Sequence, residues 1–418
     1  MTGLTATEAA ARILAEVRRQ PALRVPLDDA LGSVLAESVV SPVDIPAWTN
    51  SAMDGYAVRG AEVRGATQAV PKRLRVVEAI PAGKFPTRVL GPGECARIFT
   101  GAPLPQGADS VIRQEDTDLG GETVAIYKDR DIGVNFRLAG EDIRAGSVVL
   151  EAGSQLGPAQ LGVLASIAVA HPVVYRRPRV ALLGSGDEIA DLDQPDEILS
   201  GKKIASSNTH TLLALVRQAG GEPVNLGVAR DTPESLRQHL RLALDCDLLI
   251  TTAGISVGEH DFVKPVLEEL GATLLFWKLR MRPGAPVGFG KIGDLPWIGL
   301  PGNPVSTMVT FELFCRPAIR VMMGHGLPFR RTIPVRVGEE IRLGPKLQHF
   351  LRAVVRETAD GPPPEARLTG PQGSGILTSM ARANALLILP EGQHQTPAGS
   401  LAFALRLDDS VHVAEAPF

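Results

Sequence analysis

Apolar positions recur along this chain with two different periods, and the change of period divides it into regions. Near the start, Ile13, Leu14 and Val17 fall at helical spacing behind Thr7, which predicts a first helix capped by that threonine. From Pro42 to about Leu150 short apolar runs are broken by Gly and Pro, as in Leu74-Arg75-Val76-Val77 and Ser110-Val111-Ile112, and the region reads as β-rich. Residues 155–175 give an apolar helical segment followed by a short strand. From Arg179 to Gly324 strands and helices alternate. The pattern predicts strands at 180–183, 224–228, 248–251, 273–279, 287–289 and 297–300, and helices at 209–219, 233–243, 262–270 and 304–323. Asn303 before Pro304 marks the start of the last helix. Such repeats predict a mostly parallel α/β sheet covered by helices on both faces. Beyond Pro328 only short strand-like runs remain, such as Leu386–Leu389. The expected fold class is therefore α/β plus β and multidomain. A β-rich region is followed by an α/β region, and a small β-domain ends the chain.

Composition narrows the function classes. The 418 residues are 44% hydrophobic and 21% charged, which is ordinary for a soluble globular protein. A net charge of −3 provides no basic field for nucleic acid or anionic membrane, and the aromatic share of 4% argues against a base-stacking platform for nucleic acid. Any counter-charge for an anionic substrate must be concentrated in a pocket. Cys95, Cys246 and Cys315 lie too far apart for a zinc spacing and read as buried thiols in a reducing compartment. The first residues lack a signal-peptide pattern, and the longest apolar run, Leu161–Ala170, is too short to span a bilayer. The expectation is a cytoplasmic protein without membrane or nucleic-acid partners.

Candidate chemistry gathers at the predicted strand ends. Gly254-Ile255-Ser256-Val257-Gly258 has the G-x-S-x-G spacing of a serine-hydrolase elbow, and is equally a Gly/Ser turn able to cradle phosphate. Glu259, His260 and Asp261 follow, and carboxylates beside a phosphate site suit a divalent cation. Two more polar, glycine-bearing loops end strands: Gly184-Ser185-Gly186-Asp187-Glu188 and Pro301-Gly302-Asn303. Ligands of open α/β sheets bind beyond the carboxyl ends of the strands, so the three loops are expected to converge. Lys278, Arg280 and Arg282 share one face if their strand continues; the alternative is a solvated edge strand. Asp54-Gly55, Thr100-Gly101 and the 137–142 segment read only as turns on their own.

Taken together these segments resemble the molybdopterin molybdenumtransferase family, which includes the gephyrin E-domain. The matching pieces are NSAMDGYAV at 50–58, TGAPLPQGAD at 100–109, AGEDI at 139–143, LLGSGDE at 182–188, TTAGISVGEHD at 251–261, MRPGAP at 281–286 and LPGNPVS at 300–306. HFLRA at 349–353 and QGSGIL at 372–377 represent the tail. The resemblance implies an enzyme that inserts molybdate into adenylylated molybdopterin and releases AMP, assisted by magnesium or zinc. It also implies a homodimer whose active cleft is shared between subunits, with a molybdopterin adenylyltransferase as a candidate partner. The domain division it implies is an elongated, discontinuous N-terminal domain at 1–45 and 146–178, a β-rich domain at 46–145, the α/β domain at 179–327 and a small C-terminal β-barrel-like domain at 328–418. Carried over by position, Asp54, Thr100, Asp142, Glu188 and Lys278 become catalytic candidates. Gly254, Ser256, Gly258, Lys278, Arg282, Pro301, Asn303, Arg352 and Ser374 become the residues binding pterin phosphate or oxyanion, and Asp187, Glu188, Asp231 and Asp261 the metal ligands.

Two departures stand out. The family usually has two glycines where this chain has Ala253-Gly254, and lysines where it has Arg282 and Ala285. Arginine keeps the charge but not the lysine geometry, and Ala285 removes a cation, which Arg280, on the same face as Lys278, is expected to replace in part. Three other readings remain in play: a serine hydrolase using Ser256, a molybdopterin adenylyltransferase resembling only 179–324, and a weakly active paralogue serving as a pterin-binding or scaffold protein.

Overall fold

In the computed structural model of the chain, residues 3–253, 263–344, 346–357, 361 and 363–408 are described, the side chain of Lys264 excepted. The chain divides into two compact units, one formed by Met1–Arg24, Gly32–Ala36 and Val173–Phe418, the other by Val25–Leu31 and Glu37–Pro172.

The first unit holds a six-stranded sheet in the order Glu222–Ala229, Arg179–Ser185, Leu248–Thr252, Leu295–Leu300, Gly288–Ile292, Ala272–Phe276. The first four strands are mutually parallel, and the last two join antiparallel. Side-chain alternation decides what covers each face. Val180, Leu182 and Ile250 pack with helices Ala6–Glu16, Ser207–Ala219 and the long 304–322 helix; Ala181, Leu183 and Leu249 pack with Pro233–Leu242 and Val263–Glu269. Burial on both sides explains why these strands read as continuous apolar runs. The first helix begins two residues earlier than its periodicity suggests. Its cap is Thr5, in a reciprocal box with Glu8, so Thr7 falls inside the first turn. The 304–322 helix is interrupted by a π-helical turn at Phe311–Cys315.

The same unit contains a closed five-stranded barrel. Gln348–Arg356, Glu365–Leu368, Thr332–Val337, Leu401–Arg406 and Ala385–Leu389 pair in turn, and the last closes onto the first. A sixth strand, Met281–Arg282, adds to it in parallel, placing Arg282 opposite His349.

The second unit is built on a five-stranded sheet in the order Ser110–Arg113, Gly55–Val58, Glu94–Ile98, Lys72–Ile80, Thr123–Ile126, with an apolar cluster on each face. Gly55 is required here, because a Cβ would overlap the Ile112 carbonyl oxygen on the neighbouring strand.

Candidate functional site

Three strand ends of the first unit meet at one cavity of about 570 Å³. Gly184, Ser185 and Glu188 line it from the end of Arg179–Ser185, Thr252 and Ala253 from the end of Leu248–Thr252, and Pro301, Gly302 and Asn303 from the end of Leu295–Leu300. The 184–188 and 301–303 loops meet there as expected, together with the end of Leu248–Thr252, while the 254–258 loop lies outside the described residues; topology explains the meeting. Arg179–Ser185 lies between Glu222–Ala229 and Leu248–Thr252, so successive connections diverge at its carboxyl end and leave a crevice.

Sequence reasoning missed another part of the wall, Ser206 to Thr209, where the Ser207–Ala219 helix begins. Asn208 Nδ2 donates to the Gly302 carbonyl at 2.7 Å, and the Ser206 and Thr209 hydroxyls are hydrogen-bonded at 2.7 Å. The first turn of a helix carries unspent N–H groups and partial positive charge, so the cavity suits an anion. A polar Ser-Ser-Asn-Thr run ahead of an apolar-periodic stretch was the available signal.

On the acidic side, Asp187 N–H donates to an Asp231 carboxylate oxygen and Asp231 N–H to that of Asp187, both at 3.3 Å. The exposed Asp187 and the half-buried Asp231 thus form a crossed pair, while Glu188 folds over Gly186 and lines the cavity. Asp261, Gly254, Ser256 and Gly258 lie outside the described residues. Among the described residues no group of three His, Cys, Asp or Glu side chains gathers as a metal cluster. A pair of oxygen donors suits magnesium, which completes its shell with water and substrate phosphate, better than zinc, which favours nitrogen and sulfur.

A second cavity, of about 300 Å³, is lined by Arg282, Pro283, Arg342, His349, Arg352, Gln372 and Gly373 among others. Arg352 is fully buried. Its Nε donates to Ser379 Oγ at 3.1 Å and its Nη2 to the Gly373 carbonyl at 3.0 Å, and no carboxylate among the described residues pairs with it. Burial pulls its pKa down from the ordinary arginine value. A buried guanidinium without a counter-ion is costly unless an anion completes it. Burial, against the hydrogen bond to the Gly344 carbonyl and helped by the charge of Arg282, pushes the His349 pKa below the ordinary imidazole value. Arg342 was not foreseen; it lies on a short strand and also pairs with Glu340.

The two cavities share a wall. Gln372 and Gly373 line the second and Gly375 the first, while the Ser374 carbonyl between them accepts from Val305 N–H at 3.1 Å. The segment after residue 280 behaves likewise, with Arg282 and Pro283 in the second cavity and Pro286 in the first. Gly284 within it has φ of 100° and no room for a Cβ beside Thr310.

In the second unit the three turn-like segments are brought onto one stretch, residues 45–54. Asp142 N–H donates to the Ile45 carbonyl at 3.0 Å and Gly140 N–H to that of Pro46 at 2.9 Å. Leu104 N–H donates to the Thr49 carbonyl at 2.9 Å and Gly101 N–H to that of Ser51 at 2.8 Å. Asp54 Oδ1 accepts from both the N–H and the hydroxyl of Thr100, each at 2.8 Å. Those bonds hold the Asp54 carboxyl below the usual carboxylate range. The exposed Asp142 is fixed through its backbone and makes no hydrogen bond to Asp54 or Thr100.

Comparison with known proteins decides the family. Residues 4–168 match the MoeA N-terminal region (domain I and II), 181–321 a probable molybdopterin binding domain, and 334–403 the MoeA C-terminal region (domain IV). A molybdopterin molybdenumtransferase from Nostoc sp. is 38% identical over 90% of this chain and 87% of its own length. The molybdopterin molybdenumtransferase 2 of Mycobacterium tuberculosis is 38% identical over 93% of this chain and 96% of its own. The chain belongs to the molybdopterin molybdenumtransferase family. A solved structure of the molybdopterin biosynthesis moeA protein from Pyrococcus horikoshii, 28% identical, superposes with a TM-score of 0.81 over 97% of this chain and 100% of its own.

Two expectations for this molybdenumtransferase-family chain are corrected. The predicted 273–279 strand ends at Phe276, so Lys278, Arg280 and Arg282 share no strand face. Lys278 is exposed and lines neither cavity. Arg280 does not replace the missing cation: its Nε pairs with Glu391 at 3.0 Å and its Nη1 donates to the Gly3 carbonyl at 3.1 Å. Ala253, where the family usually has glycine, stands at φ of 66°, a left-handed position that glycine fills without strain.

Proposed function

We infer that this chain is a transferase of molybdenum cofactor biosynthesis that inserts molybdate into adenylylated molybdopterin with release of AMP. The observation that carries this reading is the pair of cavities sharing a wall, one built for a phosphate at strand and helix ends, the other around the uncompensated Arg352. Both substrates are anions, and a reaction that joins them needs two such places side by side.

The first cavity receives the pterin phosphate, held by Pro301, Asn303 and the start of the Ser207–Ala219 helix, with Ser256 and its glycines as the further wall that the family resemblance implies. Arg352 and Arg282 hold molybdate or pyrophosphate oxygens in the second, beside Ser374. Asp187, Glu188 and Asp261, with Asp231 beside them, would hold magnesium, which would supply counter-charge to the phosphoanhydride. As the family resemblance implies, Asp54, held by its two bonds from Thr100, and Asp142 are further candidates to contact the substrate, with Lys278 as a candidate cation outside both cavities. No protein nucleophile is required, because the dithiolene sulfurs and the oxyanion carry out the exchange. We take the working unit to be a cytoplasmic homodimer with a shared cleft, and an adenylyltransferase to hand over the substrate, as the family resemblance implies. The four-part domain division of the sequence is kept in this reading.

The test incubates full-length protein with adenylyl-molybdopterin, molybdate and magnesium and measures AMP. Molybdate-dependent AMP release is expected; its absence in protein that still binds pterin would favour the scaffold reading. In the same assay Arg352→Lys should lower kcat/KM by at least about tenfold, since a point charge does not replace the planar fork.

A further inference from the structure

We propose that Trp48 and Phe85 form a stacking wall for the planar, phosphate-bearing heterocycle of the substrate. This deepens the functional reading above and rests on it.

Tryptophan is scarce here, with three in 418 residues. Trp277 and Trp297 lie together in the first unit with ring centroids 5.8 Å apart, and Trp297 is fully buried. Trp48 is 38% exposed and packs edge-on against Phe85, itself 61% exposed, at a centroid distance of 4.8 Å. Core packing therefore does not account for the pair. Its place in the fold is specific. Trp48 lies within the 45–54 stretch onto which the 100–104 and 139–142 segments are hydrogen-bonded. The residues beside it are pinned: the Pro46 carbonyl accepts from Gly140, the Thr49 carbonyl from Leu104, and Thr49 Oγ1 from Ala139 N–H at 3.2 Å. The Phe85 loop is also tied, with the Thr87 hydroxyl donating to Glu78 at 2.8 Å. A wall fixed in advance loses little entropy on stacking a ring.

Charge narrows the ligand. Lys84 and Arg88 flank Phe85 in sequence, are exposed, and make no ion pair with any described residue. An aromatic wall with unpaired cations beside it matches a flat heterocycle that carries phosphate, the shared chemistry of an adenylate and a pterin phosphate.

Full-length wild type, Trp48→Phe, Trp48→Leu and Phe85→Leu are compared by calorimetry with three probes: AMP, 6-hydroxymethylpterin and inorganic molybdate. Trp48→Leu should weaken one ring probe about tenfold or more, Trp48→Phe should hold it within about threefold, and molybdate binding should not change. Loss confined to AMP assigns adenine, and loss confined to the pterin probe assigns the pterin. In turnover the stacking variant should raise KM and spare kcat. The proposal is overturned if Trp48→Leu binds both ring probes like wild type, if molybdate binding falls in parallel, or if the variant changes only the oligomeric state. Wild-type AMP release, measured separately, reads the functional assignment itself. Ring binding through Trp48 without AMP release would sink that assignment and leave the stacking wall, whereas AMP release indifferent to Trp48 would do the reverse.

Discussion

Ala253 holds a left-handed backbone on the wall of the first cavity, with Gly302 packed against it. For a residue with a Cβ this costs about 1 kcal/mol, and glycine returns part of that through its freer unfolded chain. Ala253→Gly should therefore raise stability by about 0.5 kcal/mol in a urea melt; a loss would show that the strain is absent. Asp54 gives a second residue-level prediction. Its carboxyl is held down by the two Thr100 bonds, so its contribution to stability is present above the unfolded pKa and is lost as pH falls through the lower folded one. Thr100→Val removes the hydroxyl and keeps the backbone donor, so the Asp54 pKa in a carboxylate NMR titration should rise part of the way to the ordinary range. At this scale the sequence marked Asp187 and Asp231 separately, but not their crossing, because the crossing depends on where the 179–185 and 222–229 strands place their ends.

At the scale of elements, periodicity located the parallel strands well, since burial on both faces leaves a continuous apolar run that few other elements produce. It overran at residues 273–279. The apolar run continues through Trp277 and Leu279, but Leu279 N–H donates to the Ala285 carbonyl and the chain leaves to add Met281–Arg282 to the barrel. A pattern of apolar positions does not say which sheet they serve. The cap was also shifted, because Thr5 with Glu8 three residues on outcompetes Thr7. In the second unit, Gly55 looked like a hairpin residue and is instead a close crossing of strands. Gly55→Ala should destabilise the protein by about 3 kcal/mol or more, measured by denaturant melting with each unit followed separately; a change below about 1 kcal/mol would mean the strands separate freely.

For the whole molecule, stability carries a pH signature centred on His325. Burial, with Arg320 and Arg316 beside it, pushes its pKa down to about 4, and Arg320 donates to its Nδ1 at 3.2 Å. The neutral form is therefore the folded form. Its contribution is complete above the unfolded value near 6.5 and is lost as pH falls toward about 4, at most about 3 kcal/mol. His325→Gln should flatten the fall in melting temperature across that window, and an unchanged slope would count against it. Periodicity made the α/β and β-rich parts legible from the sequence and strand ends pointed to the first cavity, whereas the second cavity is set by contacts between distant stretches and was not legible. The common wall formed by residues 372–375 has one more consequence. Filling either cavity changes the freedom of that loop, so the affinities for pterin phosphate and oxyanion become linked, each altering the other by the same factor. Order of addition then matters to rate but not to the final equilibrium, and a molybdate titration run with and without pterin would read the coupling directly.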